Sequence, residues 1–303
     1  MRLDIRYRCC FEYGELVRES QNELRACPVT DDHQSLLTYR VATSPSAKVA
    51  SFDDYWGTRV DTFGIREPHV LLEVIAEATV ETRSSPLLLA SPQLDRLRDE
   101  PFASEHLEYL ERTRHVDWNG RVTAEAASQV ELFGPDLVSV VLGIHRRVHS
   151  LVRYTPGSTY VGVGIDEVLD RGEGVCQDYA HLAIAICRAA GIPARYVSGY
   201  LFTSNDAAGT EPALDGTGGD AVSVQTHAWF EAAIPGHGWL ALDPTNQQEV
   251  GLRHVKIGHG RDYDDVPPLR GTYAGKPGGR PQVAVEMRRS TLADIQAQQQ
   301  QAQ

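Results

Sequence analysis

The segment GEGVCQDYAHLAIAICRAAGIPAR, residues 172–195, carries the clearest structural signal in this chain of 303 residues. Two glycines precede an apolar run and a Gly-Ile-Pro sequence ends it, so the pattern predicts a helix that begins near Val175 or Cys176. Between Tyr179 and Ala190 almost every residue is apolar, which is typical of a helix buried on all sides. The sequence therefore places a thiol at the entrance of a buried helix.

The position of Cys176 in this helix distinguishes it from the other cysteines. Free N–H groups and the helix dipole favour an anion at a helix N-terminus, so the first turn stabilises a nucleophilic thiolate. Cys187, in mid-helix among apolar neighbours, fits a small buried hydrophobe. The odd number and irregular spacing of the cysteines indicate free thiols rather than a disulfide framework or a zinc site; they lie at positions 9, 10, 27, 176 and 187.

The composition excludes several classes of protein. A net charge of −12 argues against a nucleic-acid partner, because such a partner requires a basic surface. No apolar stretch reaches the roughly 18 residues that a membrane span requires. The first residues alternate charged and bulky side chains where a signal peptide would have a continuous apolar segment, so we expect a cytoplasmic protein.

The chain divides into four parts by pattern. We expect an N-terminal β domain over residues 1–85, a helical connecting region over 86–135, a core over 136–275, and a C-terminal strand with a disordered Gln-rich tail over 276–303. The β domain is predicted from alternating runs bounded by turn formers, at residues 3–13, 35–43, 58–65 and 69–82.

A general base and its partner are predicted downstream of the thiol. The stretch THAWFEAAIPGHGWLALDPTN contains His227 and Asp243 on either side of a PGHG turn. If the two strands pair about Pro235, His227 lies opposite Asp243 and Trp229 opposite Ala241, with each Cβ pair about 5 Å apart. Phe230, Leu240 and Leu242 then face the other way, toward a core. The pattern predicts a Cys–His–Asp triad, a constellation that activates a nucleophile on unrelated folds.

Other polar groups are assigned structural roles. His145 and His149 are one helical turn apart, as two metal ligands would be, but no HExxH motif accompanies them and a solvated helix face is expected. His181 points away from the thiol and is expected to be a satisfied core residue. The segment GRDYDDVPPL, residues 260–269, is expected to brace the sheet. An insert at residues 204–219 is either a lid over the cleft or a variable surface loop.

Several motifs together resemble the bacterial transglutaminase-like proteins, which are thiol enzymes with a papain-like core. They are GVCQDYAHL, ARYVSGY, HAWFEAAIPGHGWLALDPTN and GRDYDDVPPLRGTYAG, and DDYWGTRVDTFGIREPHVLLEVIAEATVE resembles the N-terminal β domain of that family. The resemblance implies an α+β fold, in which the cysteine helix packs on an antiparallel sheet after a smaller all-β domain. It implies Cys176 as nucleophile, His227 as general base and acid, and Asp243 as orienter, without a metal or cofactor.

The source of the oxyanion donors is left open by the sequence. No tryptophan lies shortly upstream of Cys176, where the animal transglutaminases place an indole for this purpose. The backbone N–H of Cys176 is one expected donor, and the side-chain candidates are Tyr154, Tyr160 and Gln177, with Trp229 in support.

The expected chemistry is acyl transfer from amide bonds of proteins or peptides through a thioester. Water as the second reactant gives a protease, peptidase or deamidase, and an amine gives a transglutaminase. We favour hydrolysis, because only Trp229 and Trp239 are available to wall a channel that excludes water. Two further alternatives are a non-catalytic binding module on the same fold and a metal hydrolase. The oligomeric state is not indicated.

Overall fold

The β domain contains more strands than its sequence pattern indicates. The computed structural model describes residues 1–84, 91–203, 222–224, 226–276, 278–279 and 281–290. The four predicted strands are confirmed, and two strands of only four or five residues lie among them, too short to produce a recognisable alternation. The six strands are β1 (Arg2–Val17), β2 (Ser20–Leu24), β3 (Gln34–Ser44), β4 (Ala50–Asp53), β5 (Arg59–Ile65) and β6 (His69–Thr82).

The remaining described residues form five helices and ten further strands. The helices are α1 (Phe102–Glu105), α2 (Gly120–Phe133), α3 (Leu137–Leu151), α4 (Ile165–Arg171) and α5 (Cys176–Ala189). The strands are β7 (Arg153–Tyr154), β8 (Glu173–Gly174), β9 (Ala194–Leu201), β10 (Val222–Val224), β11 (Thr226–Ile234), β12 (Gly238–Asp243), β13 (Gln248–Glu249), β14 (His254–Gly260), β15 (Leu269–Tyr273) and β16 (Gln282–Arg289). Among the described helices, none has the length and apolar character needed to cross a bilayer.

Strands from both ends of the chain build the β domain. One sheet has the order β10-β16-β1-β6-β3 and a second has the order β15-β2-β5-β4. The alternate residues Leu3, Ile5, Tyr7 and Cys9 of β1 are buried in a core cluster that also contains Tyr200 of β9 and Val255 of β14. The predicted C-terminal strand is therefore present as β16. Residues 269–273 belong to this domain by their pairing with β2, although the pattern places them in the core at 136–275.

The buried helix α5 packs against a five-stranded sheet with the order β13-β12-β11-β9-β14. Alternate residues of β11 and β12, including Phe230, Ala232 and Leu242, are buried against this helix, and α2 and α3 cover its other sides. The predicted start of the helix at Cys176 and its burial on nearly all sides are confirmed.

The register of the β11–β12 hairpin differs from the prediction. Ile234 pairs with Gly238 and Phe230 with Leu242, so the turn is centred on Gly236 rather than on Pro235. Two glycines of the turn have positive φ, +79° at Gly236 and +84° at Gly238, which makes a longer turn possible. The shift amounts to two residues, and because side chains alternate with a period of two, the predicted faces are preserved.

Two predicted features fall outside the described part of the chain. They are the insert at residues 204–219 and the Gln-rich tail, whose residues from 291 onward are not described.

The β domain covers the outer edge of the helix-packed sheet. The side-chain amide of Gln34 donates to the backbone O of Lys256 at 2.8 Å, and its oxygen accepts from the backbone N of Lys256 at 2.8 Å. The backbone N of Val29 also donates to the Lys256 carbonyl at 3.1 Å. An exposed sheet edge invites pairing with another chain, and here the β domain occupies it.

The GRDYDDVPPL segment, which the sequence pattern assigns to bracing the sheet, makes hydrogen bonds to the cysteine helix. Arg188, buried near the end of α5, donates to the backbone O of Arg261 at 2.6 Å. The backbone N of Tyr263 donates to His181 Nε2 at 3.2 Å. His181 is therefore buried and hydrogen-bonded, as expected.

Replacing Gly199 by alanine tests how closely the sheet is packed behind the site. Gly199 pairs with His227, and an added Cβ would overlap the Val255 carbonyl and approach the Trp229 ring to 2.5 Å. We expect G199A to lower the free energy of unfolding by about 1–3 kcal/mol or more in urea titrations. The control is G120A at the start of α2, where no atom lies within 4 Å; it should change stability by less than about 1 kcal/mol. Equal effects of the two substitutions would contradict this account.

Candidate active site

The backbone before Cys176 is fixed by a carboxylate in the first turn of α5. Val175 is the N-cap and its side chain has no oxygen, so the Asp178 carboxylate takes over the capping role and accepts from Val175 N at 2.8 Å. The hydroxyl of Thr159 also donates to this carboxylate, at 2.5 Å. Cys176 is thereby held, half-buried, at the first position of the helix, where backbone N–H groups lack helical partners.

The three predicted triad residues are brought together by three different elements. His227 is the second residue of β11, Asp243 the last of β12 and Cys176 the first of α5. His227 Nε2 lies 2.8 Å from Asp243 Oδ2, and the Cys176 side chain interacts electrostatically with the same imidazole. His227 pairs with Gly199 of β9 rather than with Asp243, and the imidazole reaches the carboxylate diagonally across the shared face.

The electrostatics of this group favour an imidazolium next to a carboxylate. Burial alone would lower the pKa of His227, but the interactions with Asp243 and Cys176 outweigh it and raise the pKa to about 10. Burial opposes ionisation of Asp243 as well, yet its hydrogen-bond donors hold its pKa well below the usual range. His227 is therefore positively charged at neutral pH, with a thiol and a carboxylate on either side.

The Asp243 carboxylate is fully buried and accepts five hydrogen bonds. Oδ1 accepts from the backbone N of Thr245 at 3.0 Å and of Asn246 at 3.2 Å. Oδ2 accepts from His227, from the Asn246 side-chain amide at 2.8 Å and from His254 Nε2 at 3.2 Å. The sequence analysis missed His254 and Asn246. An Asp-Pro turn predicts a contact with the residues that follow it, which identifies Asn246; His254 lies on a separate strand and has no local signal.

His227, Asp243 and His254 form a cluster with the composition of a metal site. The proton on His254 Nε2 argues against metal binding there. Their ligand atoms lie within 4.8 Å of one another, the one such grouping among the described residues. His254 Nδ1 accepts from the backbone N of Gly251 at 3.2 Å, so the ring proton is on Nε2. That nitrogen donates to Asp243 and has no lone pair for a metal. The chemistry of the cluster is that of a hydrogen-bonded carboxylate.

The predicted supporting residues are placed differently relative to the thiol. Tyr154 pairs with Gly174, two residues before Cys176. Burial raises the pKa of Tyr154, and the charge of Cys176 raises it further, which indicates that the two groups are close. Gln177 is half-buried beside Cys176, whereas Tyr160 is 66% exposed; neither side chain has a hydrogen bond to another described residue. Tyr154 is therefore the best-placed side chain for the oxyanion.

Trp229 lies behind the imidazoles rather than beside the thiol. Its ring is 1% exposed and contacts the ring of His254 edge-on, with 5.4 Å between centroids. The corresponding distance to the His227 ring is 6.2 Å. Its predicted supporting role is thus one of packing.

The predicted solvated face for His145 and His149 is wrong. His145 is buried and its Nε2 donates to the backbone O of Asp243 at 3.0 Å. His149, half-buried, donates from Nδ1 to the backbone O of Pro244 at 3.0 Å. Their spacing of one helical turn matches two consecutive carbonyls of the Asp-Pro turn. These two histidines of α3 therefore fix the main chain of Asp243 and Pro244 by hydrogen bonds.

Replacing Asp243 by asparagine tests the buried ion pair. Removal of one partner leaves an uncompensated buried charge, so we expect D243N to lose about 3–5 kcal/mol of unfolding free energy near pH 6. The pKa of His227 is raised on folding, so its contribution is complete below its unfolded value of about 6.5 and is lost as the pH rises through about 10. The stability difference between D243N and the parent protein should therefore shrink between pH 6 and pH 10 in urea titrations.

The control for this experiment is Asp170, whose side chain is 79% exposed in an ion pair with Arg121. D170N should change the unfolding free energy by less than about 1 kcal/mol at either pH. A D243N protein as stable as D170N, or a difference independent of pH, would contradict the ion pair.

Two family profiles match parts of this chain. The profile of the Transglutaminase-like superfamily matches residues 126–244, and that of the Bacterial transglutaminase-like N-terminal region matches residues 3–81. An uncharacterised protein of Mycobacterium leprae is 33% identical over 288 residues, which cover 95% of this chain and 99% of that one. An uncharacterised protein of Mycobacterium tuberculosis is 34% identical over 89% of this chain and 87% of its own length.

Two further similarities are to an enzyme of known name and to a solved structure. A protein-glutamine gamma-glutamyltransferase of Pseudomonas aeruginosa is 33% identical over 177 residues, 55% of this chain and 25% of that protein. A solved structure from Cytophaga hutchinsonii, described as a candidate cysteine protease, matches with a TM-score of 0.70 at 24% identity over 96% of this chain and 91% of its own. The predicted α+β fold is confirmed, and the chain belongs to the bacterial transglutaminase-like protein family.

Proposed function

We propose that this protein is a cysteine-dependent enzyme that transfers acyl groups from amide bonds of proteins or peptides. The observation that carries the proposal is the arrangement from the helix N-terminus to the buried carboxylate, in which His227 hydrogen-bonds Asp243 and interacts electrostatically with Cys176. A thiol, an imidazole and a buried carboxylate in this order are the parts that nucleophilic catalysis requires.

The first half-reaction forms a thioester. His227 holds the proton of Cys176, and the thiolate attacks the amide carbonyl carbon to give a tetrahedral oxyanion. The backbone N–H of Cys176 and the hydroxyl of Tyr154 are the proposed donors to that oxygen. Collapse of the intermediate breaks the C–N bond, and His227 gives its proton to the departing amine.

The second half-reaction releases the acyl group. Water or a primary amine attacks the thioester carbonyl while His227 accepts the proton, and the sulfur leaves as the thiolate of Cys176. Water gives a carboxylic acid, and an amine gives a new amide. Asp243 remains ionised throughout and keeps the imidazole turned toward the sulfur.

Hydrolysis is the outcome we favour. A transferase must exclude water from its thioester, and neither tryptophan predicted near the site supports a channel wall at the sulfur. Trp229 is buried behind the imidazoles, and Trp239 is stacked under the guanidinium of Arg195 at 3.7 Å. The resemblance in fold to a candidate cysteine protease is consistent with this choice.

Amide synthesis is the second candidate. It is supported by the partial similarity of this chain to the Pseudomonas protein named a protein-glutamine gamma-glutamyltransferase. A primary amine is therefore the acceptor to test against water.

Reactivity of the thiol tests the proposal before a substrate is known. The protein is treated with a limiting alkylating reagent from pH 5 to pH 9, and the label is located by mass spectrometry. Cys176 should be labelled faster than the other four cysteines, because it is half-buried at the first position of α5 and interacts with the imidazole of His227. H227A should slow this labelling by about 10- to 100-fold.

Cys187 supplies the matched control in the same helix. Burial raises its pKa to about 12, so it should remain unlabelled, and C187A should not change labelling of Cys176. Protein and peptide substrates are then incubated with and without a primary amine. A mass gain from water or from the amine, absent in C176A, decides between the two outcomes. Slow and unselective labelling of all five cysteines would refute the enzymatic proposal and favour a binding module.

A further inference from the structure

We propose that His254 is a positioning residue, a neutral imidazole that holds the Asp243 carboxylate against His227. The inference deepens the proposed function, since it concerns the same site, and nothing in the sequence pattern indicated it. His254 acts on the site through its hydrogen bond with the Asp243 carboxylate rather than through contact with the thiol.

The hydrogen bonds of His254 fix its tautomer. The ring is 5% exposed, at the first position of β14. Nδ1 accepts the backbone N–H of Gly251 at 3.2 Å, a group that can only donate, so Nε2 carries the proton. Nε2 lies 3.2 Å from Asp243 Oδ2 and donates to it. The loop that precedes the strand therefore orients the donor.

The two imidazoles on Asp243 are in different charge states. The groups that face His254 are Asp243, His227 and Arg253, and its burial lowers its pKa while the two cations lower it further. Asp243 raises the pKa of His254, but not enough to reverse the lowering. His227 has the raised pKa and carries the charge. One carboxylate thus binds one imidazolium and one neutral imidazole, which avoids two like charges beside each other.

The direction in which Asp243 would turn without His254 follows from its remaining donors. Oδ2 is shared by His227, His254 and the side-chain amide of Asn246. Asn246 lies at the surface and His254 in the interior. Loss of the interior donor leaves the amide as the competitor of His227 for this oxygen, so the carboxylate is drawn outward. Its hydrogen bond to His227 is then weakened.

The β domain stabilises the loop that orients His254. The hydroxyl of Thr82, at the end of β6, donates to the backbone O of Leu252 at 2.6 Å. Leu252 lies between Gly251 and His254, and the Trp229 ring closes the other side of the imidazole. The position of His254 therefore depends on contacts between the domains, in addition to the pairing of β14 with β9.

The test compares H254L with H254Q. Leucine removes the donor, and the glutamine amide places an N–H near the position of Nε2. H69L is the control for loss of a buried histidine in the β domain, where His69 contacts Ser20 and Glu67. The first readout is the pKa of His227 from NMR of ¹⁵N-labelled imidazoles, which requires no catalysis. The second is the rate at which Cys176 is alkylated at pH 7.

We expect the pKa of His227 in H254L to lie at least about one unit below the parent value of about 10. In H254Q it should lie close to the parent value. Labelling of Cys176 should slow about 10-fold in H254L and remain within about 3-fold of the parent rate in H254Q and H69L. The parent spectrum at pH 7 should show neutral His254 with its proton on Nε2.

Three results would overturn the proposal: an unchanged or increased His227 pKa in folded H254L, equal shifts in the leucine and glutamine variants, or a His254 proton on Nδ1. If leucine prevents folding, the glutamine variant and the tautomer in the parent protein still decide. Failure of the proposed function is separate, because it would appear as slow labelling in the parent protein while the imidazole titrations remain measurable.

Discussion

The buried charge of Asp243 is the constraint on which the rest of the site depends. An ionised carboxylate without water is stable only if donors replace its hydration, and Asp243 obtains five N–H groups from β11, β14 and the turn after β12. These donors come from three different parts of the chain. Folding of the core and assembly of the site are therefore the same event, because a missing donor would leave the charge uncompensated.

The same turn is held through its backbone. His145 and His149 of α3 bind the carbonyls of Asp243 and Pro244, while the side chain of Asp243 is held from the sheet. The helix layer thus fixes the main chain and the strands fix the carboxylate. The Asp243 carboxylate is therefore held in one orientation toward His227, because both the main chain and the side chain of Asp243 are hydrogen-bonded.

Local features of the structure followed from the sequence, and features that join distant segments did not. The start of α5 at Cys176 was predictable because glycines and an apolar run mark it within a few residues. The predicted hairpin register was wrong by two residues because the turn is centred on Gly236 rather than on Pro235. His227 and Asp243 still share a face, because side chains alternate with a period of two.

His254 and His145 illustrate what a single sequence withholds. Each contacts Asp243, but from a strand and a helix whose neighbours are set by tertiary packing rather than by local pattern. A spacing of one helical turn in HRRVH was visible, and its meaning depended on an Asp-Pro turn almost a hundred residues away. The pairing of β15 with β2 was also not predictable, because the alternation of side chains within a strand does not identify its partner strand.

The pairing of β1 with β16 has a consequence for how the protein is made. Leu3 lies opposite Arg289, so β1 is synthesised long before the strand that pairs with it on this side. During synthesis one edge of β1 has no permanent partner, and its buried face is apolar. A nascent chain that stops before residue 282 would carry Cys176, His227 and Asp243 but would leave one edge of β1 open to pairing with other chains.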